Sequence, residues 1–259
     1  CQPTSEPSNL NFKTGRLRRW AGMSFSIKPL FRPIKIFMLE FFTKYWIRKY
    51  LNDQKIGKKK LQFGCGGLTR PGWLNSDLAN REYFARRLLF IDATQNFPIP
   101  DNSFDFLYAE HMIEHLKIEE GRFFVKECYR ILKPSGVLRL AFPALEFILD
   151  FYHTQAAWGE KFFQFWANPK NALNYGVSSL RLPISTRAGV VNLFFSEWGH
   201  KNLYDFIQIQ DLLNSVGFMR VLKRPNGESD FLELRELETR TFSLDSVETA
   251  TPYAVEAVK

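Results

Sequence analysis

Glycines and acids recur directly after short apolar runs in the first half of this chain of 259 residues. The run at 61–63 leads into a Gly-Cys-Gly-Gly turn at 64–67, and two later runs end in Asp77 and Asp92. A glycine turn allows a ligand to lie against the main chain, because no Cβ stands in the way. A carboxylate at the end of the next strand is the type of group that accepts hydrogen bonds from two ribose hydroxyls. The pattern therefore predicts a nucleoside-like ligand held between the turn and Asp77.

Each of these features has a plainer interpretation. A glycine turn is also common between an ordinary strand and helix, and Asp77 could cap a helix that begins near Asn80 or Glu82. The spacing argues against a dinucleotide, whose fingerprint places the acid about 20 residues beyond the glycines. Asp77 lies only ten residues beyond Gly67. Since a parallel crossover normally needs about a dozen residues, we expect a very short first helix, or a loop at 69–72 in its place.

The elements that must position these residues read as a parallel sheet with helices between its strands. Short apolar runs followed by turn residues alternate with helical stretches, as parallel α/β sheets require. The acids and glycines fall at the carboxyl ends of the runs, where open α/β sheets bind ligands. Later elements are predicted as strands at 104–108 and 132–140, a helix at 204–216 ended by Gly217, and strands at 218–223 and 253–259.

These motifs resemble the class I S-adenosylmethionine-dependent methyltransferases, and particularly a branch with a short GCG turn followed by a PGW-plus-acid second strand. The resemblance covers residues 58–145 strongly, and 199–223 and 253–259 more loosely. It implies an α/β fold: a Rossmann-like, doubly wound, mostly parallel seven-stranded sheet with an antiparallel C-terminal strand. A helical insertion is expected at about 145–200, within a methyltransferase domain spanning 58–259.

The same resemblance implies S-adenosyl-L-methionine as the cofactor and assigns residues to it. The implied cofactor-binding residues are Gly64, Cys65, Gly66, Asp77, Asp92, Ala93, Tyr108 and Glu110. The GCG turn would pass beneath the cofactor, Asp77 would hold its ribose, Asp92 and Ala93 would meet the adenine edge, and 108–111 would lie near the transferred methyl. The chain departs from the family pattern at Gln62, where many relatives have an acid, and at Leu68 and Ser135, which each replace a glycine.

Two histidines are the candidate catalytic residues. Methyl transfer from a sulfonium depends mostly on alignment of the reacting atoms, and it needs a general base only when the acceptor must lose a proton. An imidazole titrates in the useful range, so His111 is the leading candidate and His200 the second. The aromatic segment at 145–200 could form a lid over a small, lipid- or sugar-linked acceptor, or a helical subdomain with its own core; the two are compatible.

Two rival functions remain open in the sequence. The first is a non-catalytic member that binds the nucleoside and acts as an interaction module. The second is a zinc hydrolase, because 111–115 reads H-x-x-E-H, a spacing that can place two imidazoles and a glutamate at a metal. A catalytic zinc needs a third ligand, and no distinctive partner follows, so we expect no metal. In the methyltransferase interpretation His111 ends the fourth strand and residues 114–116 start the following helix, with His115 as a packed or capping histidine.

The positive charge of the chain is concentrated at its beginning. Residues 1–60 hold 14 Lys and Arg against 3 Asp and Glu, whereas 61–259 hold 21 against 24. This defines a basic, aromatic arm at 1–57. No uncharged run in it approaches the length of a membrane-spanning helix. The arm could instead be a helix packed on the domain, or could contact an anionic membrane through residues 28–60.

Other partners and compartments are limited by the composition. No recognisable nucleic-acid motif accompanies the basic arm, so no specific nucleic-acid contact is expected. Three cysteines give no disulfide framework, which suits a reducing compartment. We therefore expect a cytoplasmic protein whose partner is a small-molecule acceptor, with peripheral membrane contact as the alternative role of the arm.

Overall fold

A single seven-stranded sheet organises the chain. The computed structural model describes residues 28–78, 87–177, 184–238 and 250–259. The strands stand in the order β3-β2-β1-β4-β5-β7-β6. They are β1 Lys60–Phe63, β2 Leu74–Asp77, β3 Leu89–Phe90, β4 Phe104–Glu110, β5 Leu132–Ala141, β6 Arg220–Arg224 and β7 Ala254–Val258. The central strands β4 and β5 are the longest, and most of their residues are buried.

The strand directions confirm the predicted sheet. Strands β1 to β5 pair in parallel, with Phe63 opposite Ala109 and Glu110 opposite Ala141. Strand β7 runs antiparallel between β5 and β6. The carboxyl ends of β1, β2, β4 and β5 therefore meet at one edge, where parallel sheets bind ligands.

Helices precede, cover and extend this sheet. They are α1 Lys28–Asn52, α2 Ile118–Ile131, α3 Leu145–His153, α4 Ala157–Ala167, α5 Pro169–Asn174, α6 Arg187–Ser196 and α7 Phe206–Asn214. Helices α2 and α7 place Phe124, Ile131 and Leu213, all of them buried, in the main core beside the strands. Their apolar residues recur every three to four positions, which gives each helix one sheet-facing stripe.

A loop replaces the first crossover helix, as the short spacing predicted. Residues 64–73 form turns and no helix between β1 and β2. Gly64, Gly66 and Gly72 adopt positive φ in this loop, a conformation that L side chains rarely tolerate. The Cys65 N–H donates to the Ser76 carbonyl at 2.9 Å, which closes the loop onto β2.

Two predicted helix starts differ from the structure. Helix α7 begins at Phe206 rather than 204, because the Asp205 side chain caps it by accepting the Gln208 N–H at 2.7 Å. The interpretation that 114–116 opens the helix after β4 is wrong. Residues Ile113–His115 form a separate 3-10 turn, and α2 begins at Ile118, where the Glu120 carboxylate accepts the Lys117 N–H.

The segment after β5 folds into four helices with a core of their own. Helices α3 to α6 surround a cluster rich in aromatic rings, with Phe151, Phe162 and Trp166 almost fully buried in it. The Phe151 and Phe162 rings meet edge to face at 4.8 Å between centroids. Because aromatic contacts of this kind add to area burial, the insertion is a packed layer beside the sheet. Its proposed role as a lid stays a prediction.

Helix α1 packs beside the edge strand β3. Its residues Leu39, Thr43 and Ile47 are buried, and the Thr43 hydroxyl accepts the Phe90 N–H at 2.8 Å. The Tyr50 ring stacks on Phe104 of β4 at 6.3 Å. Among the described helices, none combines the length and apolar character needed to cross a membrane.

Candidate active site

The glycine turn after β1 leaves space for a ligand beside its main chain. Gly64 and Gly66 have φ values of +59° and +55°. A Cβ on Gly64 would lie 2.8 Å from the Met112 Cγ, so this glycine lets the segment after β4 pack closely. A Cβ on Gly66 would meet nothing within 4 Å. The two glycines therefore differ in role: the lack of a side chain at Gly64 allows close packing of Met112, whereas Gly66 borders open space.

Asp77 lies at the same turn. One of its carboxylate oxygens, Oδ2, accepts the Gly66 N–H at 2.6 Å. Such charge-assisted bonds are short and strong, so the acid at the end of β2 orders the turn as well as bordering the ligand space. The alternative of a helix cap involves Asn80 and Glu82, which lie outside the described residues.

The remaining residues assigned to the cofactor lie at the ends of β3 and β4. The Asp92 Oδ1 accepts both the N–H and the hydroxyl of Thr94, at 2.9 and 2.8 Å. This turn orients Asp92 and the half-buried Ala93 that follows it. Glu110 is buried, and its Oε2 lies 3.7 Å from the Arg70 guanidinium. Asp92, Ala93 and Glu110 all lie at or just beyond strand ends, as expected from a parallel sheet.

Tyr108 is placed differently from the other assigned residues. Its side chain is fully buried in a cluster with Trp73 and Phe106, and the Arg70 guanidinium lies 4.9 Å from its ring centre. Burial is the main reason that the pKa of the Tyr108 hydroxyl is raised far above its ordinary value. The Tyr108 side chain therefore packs in the core, and a cofactor contact by Tyr108 would have to use its main chain.

A cavity of about 520 Å³ opens beside the carboxyl ends of β4 and β5. Both candidate catalytic histidines, His111 and His200, border it. Its other lining residues are His115, Pro143, Trp166, Asn174, Tyr175, Gly176, Phe194 and Trp198. His111 is followed by Met112, whose side chain lies close to Gly64, so the residue next to a cavity-lining histidine contacts the glycine turn. The volume of the cavity suits a small-molecule ligand.

His200 is oriented by main-chain contacts. Its Nδ1 lies 2.6 Å from the Phe194 carbonyl oxygen, which requires the proton on Nδ1 and leaves a lone pair on Nε2. The next two residues, Lys201 and Asn202, donate their N–H groups to the Glu114 carbonyl at 2.7 and 3.2 Å. These bonds tie the chain after α6 to the turn after β4, which brings His200 to the cavity.

Glu114 is a buried carboxylate surrounded by imidazoles. It is fully buried, and neither of its oxygens has a well-aligned hydrogen bond; the nearest nitrogen is the His111 Nδ1 at 3.3 Å. Burial alone would raise the pKa of Glu114, but His111, His115 and His200 outweigh it and hold that pKa below its ordinary value. Glu114 is therefore an anion that stabilises positive charge on its neighbours.

The same environment keeps His200 neutral. Burial lowers the pKa of His200 below its ordinary value, against the opposing attraction of the Glu114 carboxylate and the Phe194 carbonyl. The His115 and His200 rings meet edge to face at 5.0 Å. A neutral imidazole with an available lone pair beside a buried anion can accept a proton and hold the resulting cation.

His111 is held in an unusual backbone conformation. Its φ is +49°, in the left-handed region, and its N–H donates to the Ala141 carbonyl at 2.9 Å. Its Nε2 lies 3.1 Å from the Thr251 hydroxyl. Both ring nitrogens of His111 have polar neighbours, Thr251 and Glu114. This histidine is therefore better placed to hold neighbouring side chains in position than to accept a proton. Strained backbone of this kind is typical of functional sites.

The sequence identified some of this site and missed the rest. It placed the glycine turn and Asp77 together, and it named both catalytic candidates. It missed Glu114 as their shared anion, although the H-x-x-E-H spacing was a signal for it. It also gave no sign of Thr251, which approaches His111 from 140 residues away along the chain.

Comparison with known proteins bears directly on this arrangement. Residues 74–140 match the model of a family described as a methyltransferase domain. No curated protein sequence matches the chain. One similar solved structure is a SAM-dependent methyltransferase of Thermotoga maritima, described as a possible histamine N-methyltransferase: 16% identity, 89% of this chain and 96% of that one, TM-score 0.44.

Two further solved structures have comparable similarity. A SAM-dependent methyltransferase of Archaeoglobus fulgidus is 18% identical over 87% of this chain and 99% of its own, with a TM-score of 0.44. The phosphoethanolamine N-methyltransferase 2 of Haemonchus contortus, in complex with S-adenosyl-L-methionine, is 17% identical over 91% of this chain and 59% of its own, with a TM-score of 0.42.

The family match spans the strands that carry the acids and the histidine turn. It covers β2 to β5 almost completely, including Asp77, Asp92 and Glu114. The number of strands and their directions, with β7 antiparallel to its neighbours, are those that the motif resemblance implied. Residues 74–140 of the chain are therefore similar to a methyltransferase domain.

Proposed function

We propose that this enzyme methylates a hydroxyl group of a small, sugar-linked or lipid-linked acceptor, with His200 as the general base. The observation that carries the proposal is the His200 imidazole at the cavity. Its Nδ1 is engaged by the Phe194 carbonyl and a buried anion lies beside it. A base of this kind is needed when the acceptor must lose a proton, as a hydroxyl must.

The residues of the glycine turn fit the cofactor. Gly66 borders open space with no Cβ, and the Asp77 carboxylate lies at the same turn. We assign the main chain of Gly64, Cys65 and Gly66 to the body of the cofactor and Asp77 to its ribose hydroxyls. When bound, S-adenosylmethionine supplies an electrophilic methyl group on a sulfonium.

The cavity residues then carry out the proton chemistry. The Nε2 of His200 would accept the proton that the acceptor hydroxyl loses, which would free the acceptor oxygen to take the methyl group that the bound cofactor would supply. Glu114 stabilises the imidazolium that results, because it is ionised and buried within the same cluster. The Phe194 carbonyl holds the ring in one tautomer throughout.

The walls of the cavity favour an acceptor with apolar faces. Trp166, Tyr175 and Trp198 form a mutually packed group, with ring centroids 5.4 to 5.5 Å apart for the two contacts of Trp166. Rigid aromatic walls with a few polar groups suit the apolar face of a sugar ring or a planar acceptor.

The metal alternative is weaker on geometry. Glu114, His115 and His200 offer ligand atoms within 4.8 Å of one another, so a cation could be accommodated. However, a hydrolase would use His111 and His115 as ligands and Glu114 as the base, whereas Glu114 is fully buried and His111 is outside this group. We keep metal independence as a prediction, which metal analysis and chelator treatment can test.

Tritiated S-adenosylmethionine, offered with a panel of sugars, phenols and their lipid-linked forms, tests the proposal. His200→Asn should bind S-adenosylhomocysteine like the wild type and lose about 10²- to 10⁴-fold in transfer rate, the usual contribution of a general base. The matched control is His153→Asn, because His153 is an exposed histidine away from the cavity.

The outcomes separate the proposal from its rivals. Retention of the full rate in His200→Asn would exclude this histidine as the base. Tight cofactor binding with no transfer to any acceptor would favour the non-catalytic interaction module.

A further inference from the structure

Helix α1 has one buried face and one exposed apolar face. One face is buried against the sheet through Leu39, Thr43 and Ile47, which recur every fourth residue. The opposite face carries Phe37, Met38, Phe41 and Tyr45, whose exposed fractions are 70%, 44%, 61% and 49%. Positions 37, 41 and 45 also recur every fourth residue, so their rings form a continuous stripe. We call this set, Phe37, Met38, Phe41 and Tyr45, the aromatic stripe.

Among the residues that the structure describes, none buries the aromatic stripe. The buried face already supplies the contacts that hold α1 on the domain, including the Thr43 hydrogen bond to Phe90. Exposed apolar groups of this size are unfavourable in water, and contiguous ones mark interaction surfaces. The stripe therefore points to a partner outside the domain.

Basic residues flank the aromatic stripe. Lys44, Arg48 and Lys49 are exposed on α1 between and beside the rings. Lys44 and Arg48 also line an open groove of about 630 Å³ between α1 and the loop after β3, together with Phe41, Tyr45 and Pro98. The groove thus offers two cations beside apolar walls, which matches a phosphate joined to an apolar chain.

We propose that the outward face of α1 docks on an anionic lipid bilayer. The rings would enter the boundary between headgroups and acyl chains, to a depth of about 5–10 Å. Lys44 and Arg48 would contact headgroup phosphates in the groove. The charge is complementary, because residues 1–60 hold 14 basic residues against 3 acidic ones, and anionic leaflets attract such segments.

The same residues fit a nucleic acid less well. Binding of single strands uses aromatic rings inside a basic channel that follows the phosphate backbone. Here Phe37 and Met38 project from the convex surface of a helix, and both are well exposed. Met38 adds apolar bulk and offers no ring for stacking. This arrangement favours a lipid surface over a nucleic acid.

Co-sedimentation of the full chain with vesicles tests the proposal. Vesicles of phosphatidylcholine with about one third phosphatidylglycerol should bind the protein, and pure phosphatidylcholine should bind it far less. Lys44→Gln/Arg48→Gln should weaken binding about thirtyfold, since each cation near an anionic surface contributes about fivefold. Phe37→Ser/Phe41→Ser should weaken it at least about tenfold. Raising salt should weaken wild-type binding, because exposed charges are screened within about 10 Å at 0.1 M.

Matched controls lie on other surfaces of the same domain. Arg122→Gln/Lys126→Gln removes two exposed cations from α2, and Met219→Ser removes a residue that is 85% exposed next to β6. Both controls should sediment like the wild type. Thermal unfolding and S-adenosylhomocysteine binding should be unchanged in every variant, because none of these side chains belongs to the core or the site.

Three results would overturn the proposal. Equal sedimentation with acidic and neutral vesicles would exclude charge recognition. Equal losses in the α2 control and the α1 variants would show attraction by net charge alone. The third result is a wild type that does not bind vesicles but forms a concentration-dependent dimer, detected by light scattering. If Phe37→Ser/Phe41→Ser abolished that dimer, the stripe would be assigned to a second copy of the chain.

Discussion

Two buried clusters of charged residues, one within β5 and one just beyond the end of β4, have different kinds of partners. In the middle of β5, the guanidinium of Arg139 is fully buried between Glu238 and Glu256, with nitrogen–oxygen distances of 2.6 to 2.8 Å. Beyond the end of β4, the buried Glu114 carboxylate lies among three imidazoles, with the His111 Nδ1 at 3.3 Å. The first cluster is built on a guanidinium hydrogen-bonded to two carboxylates, whereas the second is a carboxylate surrounded by imidazoles.

The difference separates structural charge from functional charge. Arg139 cannot lose its proton, and its carboxylate partners fix it, so the cluster can hold only one state. The histidines around Glu114 can change charge near neutral pH, and two of them border the cavity. Perturbed titratable groups in a cleft are typical of catalytic sites. The comparison therefore favours the second cluster as the place of the proposed proton transfer.

Loss of Arg139 should have the largest effect on stability. Arg139→Met leaves the buried Glu238 carboxylate without its cation and Glu256 with only Arg224, at 3.3 Å, which should lower the free energy of unfolding by about 3–5 kcal/mol. Urea unfolding followed by circular dichroism measures the change. The folded fraction should bind S-adenosylhomocysteine like the wild type, because the cluster lies away from the glycine turn. A loss below about 1 kcal/mol would show that the pair contributes little and would weaken the contrast.

Asp77 should have the next largest effect, and it acts on ligand binding. Asp77→Ala removes a charged acceptor; hydrogen bonds to such groups are worth roughly 1.5–3 kcal/mol, so affinity for S-adenosylhomocysteine should fall at least about tenfold. Asp77→Asn keeps one acceptor oxygen for the Gly66 N–H and should fall in between. Calorimetric titration decides the order. Equal affinities in all three proteins would remove Asp77 from the cofactor site.

The sequence predicted the glycine site better than the histidine site for a physical reason. Gly64, Gly66 and Asp77 lie within 14 residues, on strands that must be neighbours, so a local pattern describes them. The His200 cluster instead needs the return of the chain after α6, where two N–H groups reach the Glu114 carbonyl. No periodicity in the sequence reports a contact of that range.

Predicted boundaries failed where side chains decided them. The start of α7 was displaced by the Asp205 cap, and the H-x-x-E-H segment formed a short 3-10 turn. Apolar spacing shows which face of a helix is buried and leaves the first residue undetermined. The mostly parallel seven-stranded sheet with an antiparallel C-terminal strand, by contrast, was implied by the motif resemblance and is confirmed.

Glu114 should control the titration of His200. Glu114→Gln removes the carboxylate that raises the pKa of His200, so that pKa should fall further, by about one unit for an opposite charge within 4–6 Å. The chain has only four histidines, so the His200 ring signal can be assigned by its loss in His200→Asn and followed by NMR against pH. In a base mechanism the acid limb of activity should move to lower pH together with this signal. An unchanged titration would mean that Glu114 and His200 are electrostatically independent.

The smallest expected effect tests a residue that belongs to neither cluster. Ser135, which replaces a glycine of the family pattern, has a φ of +63°. This conformation costs a non-glycine residue about 1–2 kcal/mol. A glycine avoids that cost but destabilises the folded state by about 0.4–1 kcal/mol, because it raises the entropy of the unfolded chain. Ser135→Gly should therefore stabilise the protein by about 0.5 kcal/mol and raise the thermal midpoint by about 1–2 °C.

Neighbouring substitutions make this small effect measurable. Ser135→Ala keeps the unfavourable φ and should leave the thermal midpoint unchanged. Gly136→Ala should destabilise the protein, because its Cβ would lie 2.9 Å from the Lys133 carbonyl oxygen and 3.2 Å from that of Asp105. Scanning calorimetry of the three variants gives the ranking. A midpoint for Ser135→Gly below that of Ser135→Ala would show that the greater entropy of glycine in the unfolded chain outweighs the relief of the positive φ.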